Sequence, residues 1–350
     1  SFTYAENNVT SVDIVSTTTT SAAAGGTNAE GIESIKFNAP RTFISQNRAV
    51  TSADFKSLIK SGVPGLQDVI AWGGETEDPP VFGVTYISCK PHGALYLTEL
   101  QKNQILNFLS GKKMLSVTPE IVDPTYSYVS FGVEFRYNSV LTNLSVGELT
   151  SKVRSRIESY GRRNLNNFDG IFRHSNLVTE IDNTDRAILS NTLTLRVRKD
   201  ISISTATNDA QKLSFGLKVK GAIDQDEPMI TSSGFEKNSY TTYIADEYVV
   251  GNTETRNIYS YRTGDSGAGG TQIRVDDNVG TLNIETGEIN ISSLVPDNNT
   301  IISISVIPDS NDIFTEKRNI LTIDLEASNI EGVLDTTGTV TSGSRVTLDA

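Results

Sequence analysis

The sharpest pattern in the chain is a strict alternation over residues 129–137. Val129, Phe131, Val133, Phe135 and Tyr137 fall on one side, and Ser130, Gly132, Glu134 and Arg136 on the other. A period of two marks a strand with one buried face. Leu193, Leu195 and Val197 repeat it against Thr192, Thr194, Arg196 and Arg198. Between these strands the period changes: Val146, Leu149, Val153, Ile157 and Tyr160 recur at three and four residues and run on to Gly161. Ser145 and Glu148 form a capping box ahead of them, so an amphipathic helix is predicted. A second box, Thr98 with Gln101, starts a helix closed by Gly111, with Leu100, Ile105, Phe108 and Leu109 as its expected inner face. A shorter helix is predicted after Thr51 as N-cap, with Asp54 in its first turn, Phe55, Leu58 and Ile59 on one face, and Gly62 at its end.

Apolar runs at 69–72, 84–89 and 115–122 read as strands, the first two separated by the turn-rich residues 73–80. From Val84 to Lys199 the order is strand, helix, strand, strand, helix, strand, which predicts a ferredoxin-like split βαβ sheet with both helices on one face. Beyond 200 helical periodicity fades. Short alternating segments recur at 213–219, 240–250, 272–275, 281–284, 288–291, 301–307, 321–325 and 345–348, with Thr286-Gly287 as a hairpin turn. These segments predict an all-β sandwich or partly open barrel. The expected class is therefore α+β. Residues 1–50 form a low-complexity linker and extended entry segment, 51–200 the ferredoxin-like domain, and 201–350 a β-rich domain.

Charge sharpens the boundary at 200. Residues 1–200 hold 20 basic and 20 acidic side chains, while 201–350 hold 10 and 22, so the net charge of −12 is entirely C-terminal. An acidic half repels phosphates, which argues against nucleic acid as its partner and fits a solvated surface or a dock for a basic protein. No apolar run approaches the roughly 18 residues of a membrane helix, so no membrane partner is expected. The 350 residues suffice for about two domains. The sequence opens at Ser1 with neither a methionine nor a signal-peptide pattern, which reads as a fragment or processed product.

The stock of reactive side chains is small. Cys89 is the single cysteine and His92 and His174 the two histidines, which excludes an intrachain disulfide or a thiolate zinc finger and leaves little for a histidine relay. Gly264-Asp265-Ser266-Gly267 matches the nucleophile segment of chymotrypsin-like proteases, but neither histidine has that family's surroundings, and a flexible loop is the preferred reading. Asp224, Asp226 and Glu227 are rejected as an EF-hand because Pro228, Met229 and Phe235 occupy positions five, six and twelve. Asp276-Asp277-Asn278 reads as a turn. No catalytic residue, metal site or cofactor is expected.

Two clusters suggest contacts. Lys152, Arg154, Arg156, Arg162 and Arg163 gather on one helix. Glu148 is expected to pair with Lys152, and Glu158 with Arg154 and Arg162, leaving Arg156 and Arg163 as the less compensated charges; a solvated helix face is the preferred reading and a partner interface at Arg156 and Arg163 the alternative. Tyr240, Tyr243, Tyr248, Tyr259 and Tyr261 could serve a glycan, although cross-strand packing is the preferred reading.

Residues 33–40, followed by Gln46-Asn47-Arg48-Ala49-Val50-Thr51, Asp54-Phe55, Ala71-Trp72-Gly73-Gly74-Glu75, Asp78-Pro79-Pro80, Phe82-Gly83 and residues 87–91, together resemble the baseplate-J-like proteins of contractile phage tails. Within that family, the pairing with an acidic β-rich region is most similar to the C-terminal portion of the wedge ring subunit of large myophages. The resemblance covers about residues 30–200. It makes Asn47, Arg48, Thr51, Trp72, Gly73, Gly74, Glu75 and Pro80 scaffold positions, the Gly73-Gly74 turn being expected to use glycine's access to positive φ. It also implies a structural, non-enzymatic subunit of the virion tail baseplate, assembled in the host cytoplasm. Such a subunit pairs with itself as a homodimer within a ring around the hub, binds other wedge proteins, and holds the baseplate together while sheath contraction is triggered. A receptor- or glycan-binding tail module is the alternative.

Overall fold

The computed structural model describes residues 46–335 apart from 78, 206–210, 222–227, 253, 265–271 and 316, together with the isolated positions 32, 35, 36, 40 and 43. The chain divides into two compact units, Ser1–Ile121 and Val122–Ala350. The fold is mixed α+β and dominated by strands.

In the first unit, α1 (Ser52–Gly62) starts at a capping box, the Thr51 hydroxyl accepting from the Asp54 amide while the Asp54 carboxylate accepts from the Thr51 amide. Phe55, Leu58 and Ile59 face inward. Strands β1 (Leu66–Gly73) and β2 (Val84–Pro91) pair antiparallel. Helix α2 (Glu99–Ser110), opened by the expected Thr98–Gln101 box, then carries the chain back so that β3 (Thr118–Ile121) lies parallel to β2. Ile105 and Leu109 of α2 are buried with Val69, Ile87 and Cys89. Leu100, expected inside, is 69% exposed. At 3.6 residues per turn it lies about 180° around the helix from Leu109 and cannot share its face.

In the second unit β4 (Thr125–Tyr137) buries Val129, Phe131, Val133 and Phe135 as the alternation requires. Helix α3 (Val146–Asn164) covers that face through Leu149, Val153, Ile157 and Tyr160. It does not stop at Gly161. A Cβ there would press on the Ile323 side chain, so this glycine marks a close approach rather than a helix end. After the short β5 (Ile171–Phe172) comes α4 (His174–Asp182), and then β6 (Ile188–Ile203) pairs antiparallel with β4.

The remaining strands are β7 (Gln211–Ser214), β8 (Ile230–Ser232), β9 (Phe235–Lys237), β10 (Tyr240–Glu247), β11 (Thr255–Thr263), β12 (Gln272–Asn283), β13 (Glu288–Ile291), β14 (Thr300–Val306), β15 (Ile313–Phe314), β16 (Asn319–Ile323) and β17 (Asn329–Leu334). One six-stranded antiparallel sheet runs β7-β13-β12-β11-β10-β9. Another runs β16-β4-β6-β14-β8, with β17 continuing along β4 beyond β16, and both β16 and β17 are parallel to β4. Strands β5 and β15 form a small separate pair.

The ferredoxin-like sheet expected over Val84–Lys199 is replaced by two sheets. Strands β2 and β3 belong to the first unit and are parallel to each other, while β4 and β6 belong to the second. The β2–α2–β3 crossover satisfies β3 locally, and Pro124 interrupts the chain before β4. The expected boundary at 200 falls inside β6, and a single buried cluster extends from Val129 through Val279 to Leu321. The half beyond 200 is strand-rich as the pattern predicts, yet it does not close on itself, because β8, β14, β16 and β17 join the sheet of β4 and β6. The two segments expected at 272–275 and 281–284 are one strand, β12, bent by register shifts against β11. The segment 345–348 and residues 1–31 of the expected linker and entry segment lie outside the described residues.

Among the described residues no helix is long and apolar enough to cross a membrane.

Candidate interaction surface

The motif positions converge on one end of the first unit's sheet. Asn47 takes a left-handed φ of 61°, which asparagine tolerates, and its Oδ1 accepts from Lys112 Nζ at 2.5 Å. Arg48 donates to Gln46 Oε1 at 2.9 Å, and the next amide, Ala49, donates to the Lys112 carbonyl at 2.8 Å. Trp72, near the end of β1, stacks on Tyr86 at 5.9 Å and donates its indole N–H to Glu77 Oε1 at 2.7 Å. The Gly74 carbonyl accepts from both Glu77 and Val81 amides, folding 74–81 into a closed loop whose surface carries Glu75 and Pro80. Gly73 has φ −79°, and neither glycine is among the positive-φ residues. The expected left-handed turn is therefore corrected: Gly74 is required because a Cβ would collide with the Val81 carbonyl. Thr118 donates to the Gly83 carbonyl at 2.8 Å, tying this loop to the segment that begins at Lys112.

This end also exposes apolar side chains. Phe82 is 81% exposed and Leu115 fully so; Met114, next to Leu115, and Val50, which follows the Ala49–Lys113 bridge, are also open. Arg48, Lys112 and Lys113 accompany them, donating to oxygens of Gln46, Asn47 and Val117 respectively, and Lys112 Nζ also lies over the Phe108 ring at 4.5 Å. Composition alone did not reveal this, because the apolar positions sit in turns where no periodicity marks them.

On α3 the cations are more fully compensated than spacing suggested. Lys152 pairs with Asp185 at 2.9 Å rather than with Glu148, whose carboxylate closes the capping box at Ser145 and is held below its usual range by those bonds. Arg154 donates to the Leu325 carbonyl, and Arg162 pairs with Glu158 as expected. Arg163 grips Glu180 through Nη2 at 2.6 and 2.8 Å, so it is not the open charge that was expected. Arg156 has no ion pair among the described residues. It lies in a shallow depression lined by Ser151, Lys152, Ser155, Ser159 and Thr184.

The tyrosines pack on one another and on arginines. Tyr243 and Tyr261, cross-strand partners, stack at 5.7 Å, Arg274 lies over Tyr259 at 4.1 Å, and Arg262 over Tyr240 at 4.0 Å. Asp276 is inside β12 rather than in a turn, where it accepts from Ser260 Oγ and Lys237 Nζ at 2.6 Å each. Beneath this sheet lies a pair that the sequence did not announce. Asp246 and Arg256 are both fully buried and meet at 2.6 Å, and Asp246 Oδ1 also accepts from the Met229 and Ile230 amides at 2.8 Å. Burial pushes the Asp246 carboxyl up, against the pull of those amides and of Arg256. Polar residues in an alternating segment carry no local mark of burial, so the pair is visible only once β10 and β11 are placed in the sheet.

Residues 222–227 and 265–271, with the rejected acidic loop and Ser266, lie outside the described residues. Among the described residues no group of three His, Cys, Asp or Glu side chains could hold a metal ion. The Cys89 thiol is buried, and desolvation, helped by Asp68, pushes it up to about 12. Cys89 is therefore expected to resist a disulfide reagent at pH 8 in the native protein and to react fully once denatured, since the thiolate is the nucleophile. Titration with and without denaturant checks this, and rapid native labelling would contradict it.

Residues 51–122 match the family model described as "Baseplate structural protein gp6, C-terminal domain I", and residues 125–200 match "Baseplate structural protein gp6, C-terminal domain III". Among curated proteins, the baseplate wedge protein gp6 of Enterobacteria phage T4 is 25% identical over 190 residues, covering 54% of this chain and 28% of that protein. Among solved structures, a cryo-EM structure of the anti-feeding prophage baseplate, 6-fold symmetrised, aligns with a TM-score of 0.34 and 19% identity over 47% of this chain and 37% of the other. The family models that match are thus those of gp6, where the motifs alone suggested the baseplate-J-like group. Two successive segments of this chain, 51–122 and 125–200, are similar to C-terminal domains of one baseplate structural protein, and the chain spans 28% of the curated relative's length.

Proposed function

We propose that this chain is the C-terminal portion of a structural subunit of a contractile-tail baseplate wedge, of the baseplate-J-like kind, residing in the virion tail. The observation that carries the reading is the ordered pair of matches to gp6 C-terminal domains, supported by a curated relative named as a baseplate wedge protein. The subunit works through repeated protein contacts: it pairs with itself within a ring around the hub and binds other wedge proteins. The arrangement of its side chains supports a scaffold role, because the motif residues hold one loop and one helix start in place and none poises a nucleophile beside a base. Against the glycan-binding alternative, Arg262 and Arg274 each lie over one face of Tyr240 and Tyr259, leaving less ring surface for a sugar.

Electron microscopy of the purified chain mixed with candidate wedge proteins tests the proposal. Arcs or rings containing both chains are expected. Isolated particles that ignore every wedge partner would count against it.

A further inference from the structure

We infer that the depression between α3 and the turn after α4 is a carboxylate site, where Arg156 receives an aspartate or glutamate presented by an acidic segment of another wedge protein. This rests on the wedge-binding part of the proposed function and adds to it a surface and a partner chemistry. Ser151, Lys152, Ser155, Arg156 and Ser159 of α3, with Thr184, line the depression, which holds about 430 Å³. Their side chains end in hydroxyls and cations, with no carboxylate among them. Such a set of donors suits an oxyanion.

Charge decides which oxyanion. Each carboxylate of α3, α4 and the turn that follows is already engaged: Glu148 closes the capping box, Glu158 pairs with Arg162, Glu180 with Arg163, and Asp182 accepts from Asn191. Asp185 pairs with Lys152 and also accepts from the Ala187 amide. Among the cations of α3, Arg154 reaches Glu326 at 4.0 Å. Arg156 is left over, and neither its guanidinium nor the adjacent Ser155 hydroxyl has a hydrogen bond or ion pair among the described residues. With Lys152 neutralised by Asp185, the lining carries one net positive charge. That matches a singly charged carboxylate better than a doubly charged phosphate, and a guanidinium fork can take both carboxylate oxygens at once.

The open mouth of the depression decides the carrier. A free small acid binds well only where most of its surface is enclosed, so the carboxylate arrives here on a protein segment held by further contacts of its own. A two-fold contact between copies of this chain would set Arg156 against Arg156, which points to a different protein as the partner.

Two measurements on the full chain test this. NMR titration at constant ionic strength, with hexaglutamate and with inorganic phosphate as probes, follows the Arg156 Nε–H resonance, assigned by its absence in Arg156→Gln. A saturable shift with hexaglutamate is expected, and a smaller one with phosphate. In binding assays with purified wedge proteins, Arg156→Gln should weaken association at least about tenfold, and Arg156→Lys, which keeps the charge without the fork, should recover only part of it. The melting temperature should stay unchanged in both variants, because the side chain holds nothing within the chain. Phosphate binding more tightly than hexaglutamate would overturn the ligand, and a resonance that neither probe moves would overturn the site. Wedge binding that survives Arg156→Gln would overturn the docking role while leaving the proposed function standing. Self-association lost in Arg156→Gln would make a second copy the occupant and overturn the stated partner. A wild type that binds no wedge protein would remove the wedge binding proposed above, and this inference with it, even where hexaglutamate still moves the resonance.

Discussion

Arg256→Met is expected to cost the second unit about 3–5 kcal/mol of stability, the usual penalty for removing one partner of a buried ion pair. The two charges meet in a fully buried position at 2.6 Å, and the carboxylate also holds the start of β8 through the Met229 and Ile230 amides. Removing the guanidinium leaves an uncompensated carboxylate that cannot leave without orphaning two amides. The pH dependence has a definite sign. Burial already raises the Asp246 carboxyl, and without Arg256 its main cationic counterweight is gone, so the folded form of the variant favours the protonated acid. A group raised in the folded state contributes most below its unfolded value, about 3.9 for aspartate, and that contribution is lost as pH climbs through the folded value. The variant's deficit should therefore be larger at pH 8 than near pH 5. Adding Asp246→Asn keeps an oxygen for the two amides while removing the charge, and should recover a substantial part of the loss. Urea unfolding followed by circular dichroism measures all three. An Arg256→Met chain within about 1 kcal/mol of wild type at pH 8 would show that the pair is not the anchor described here.

The elements that were legible from sequence are those whose instructions are local. Thr51–Asp54, Thr98–Gln101 and Ser145–Glu148 each satisfy a helix start within four residues; the latter two boxes form as read, and Thr51, read as an N-cap alone, also closes a box with Asp54. The alternation at 129–137 and 193–197 likewise needs only one strand to be recognised. Helix α4 shows the opposite case. Its N-cap residue, Arg173, contributes no side-chain cap; Asp312, 138 positions away from His174, accepts from the His174 amide at 3.1 Å and pairs with Arg173. No nearby residue announces that helix. The parallel pairing of β16 and β17 with β4 joins residues nearly two hundred positions apart, and a parallel partner cannot be inferred from a turn as a hairpin partner can. The interaction face divides the same way. Its motif residues were visible as a family pattern, whereas the exposure of Phe82 and Leu115 depends on how two turns are tied together by the Thr118–Gly83 bond.

That long-range pairing sets the second large effect. A chain ending after Ile203 retains every residue of the two segments that match gp6 domains, and its second unit is nonetheless expected to be unfolded. It keeps β4, α3 and β6 but lacks β14, which pairs with β6 from Val306↔Val197 to Thr300↔Ile203, and lacks β16 and β17 along β4. Ile302, Ile304, Val306, Ile320 and Leu321, all essentially inaccessible in the intact unit, disappear with them, as does the Ser328 hydroxyl that accepts from the buried Phe131 amide. Losing even one such side chain by truncation to alanine costs about 2–5 kcal/mol, so losing five, about 10–25 kcal/mol, matches or exceeds the roughly 5–15 kcal/mol that a whole domain has in hand. The first unit has its own buried cluster from Ala49 to Leu109, and Trp72, the single tryptophan, sits within that unit against Tyr86. The shortened chain should therefore show a native-like tryptophan emission with a cooperative loss on heating, alongside amide exchange at residues 125–203 as fast as in an unfolded chain. Slow exchange along β4 and β6 in that chain would mean that the strands from 300 onward decorate the second unit rather than complete it. The boundary of the folding unit would then lie near 200, where the change in charge places it.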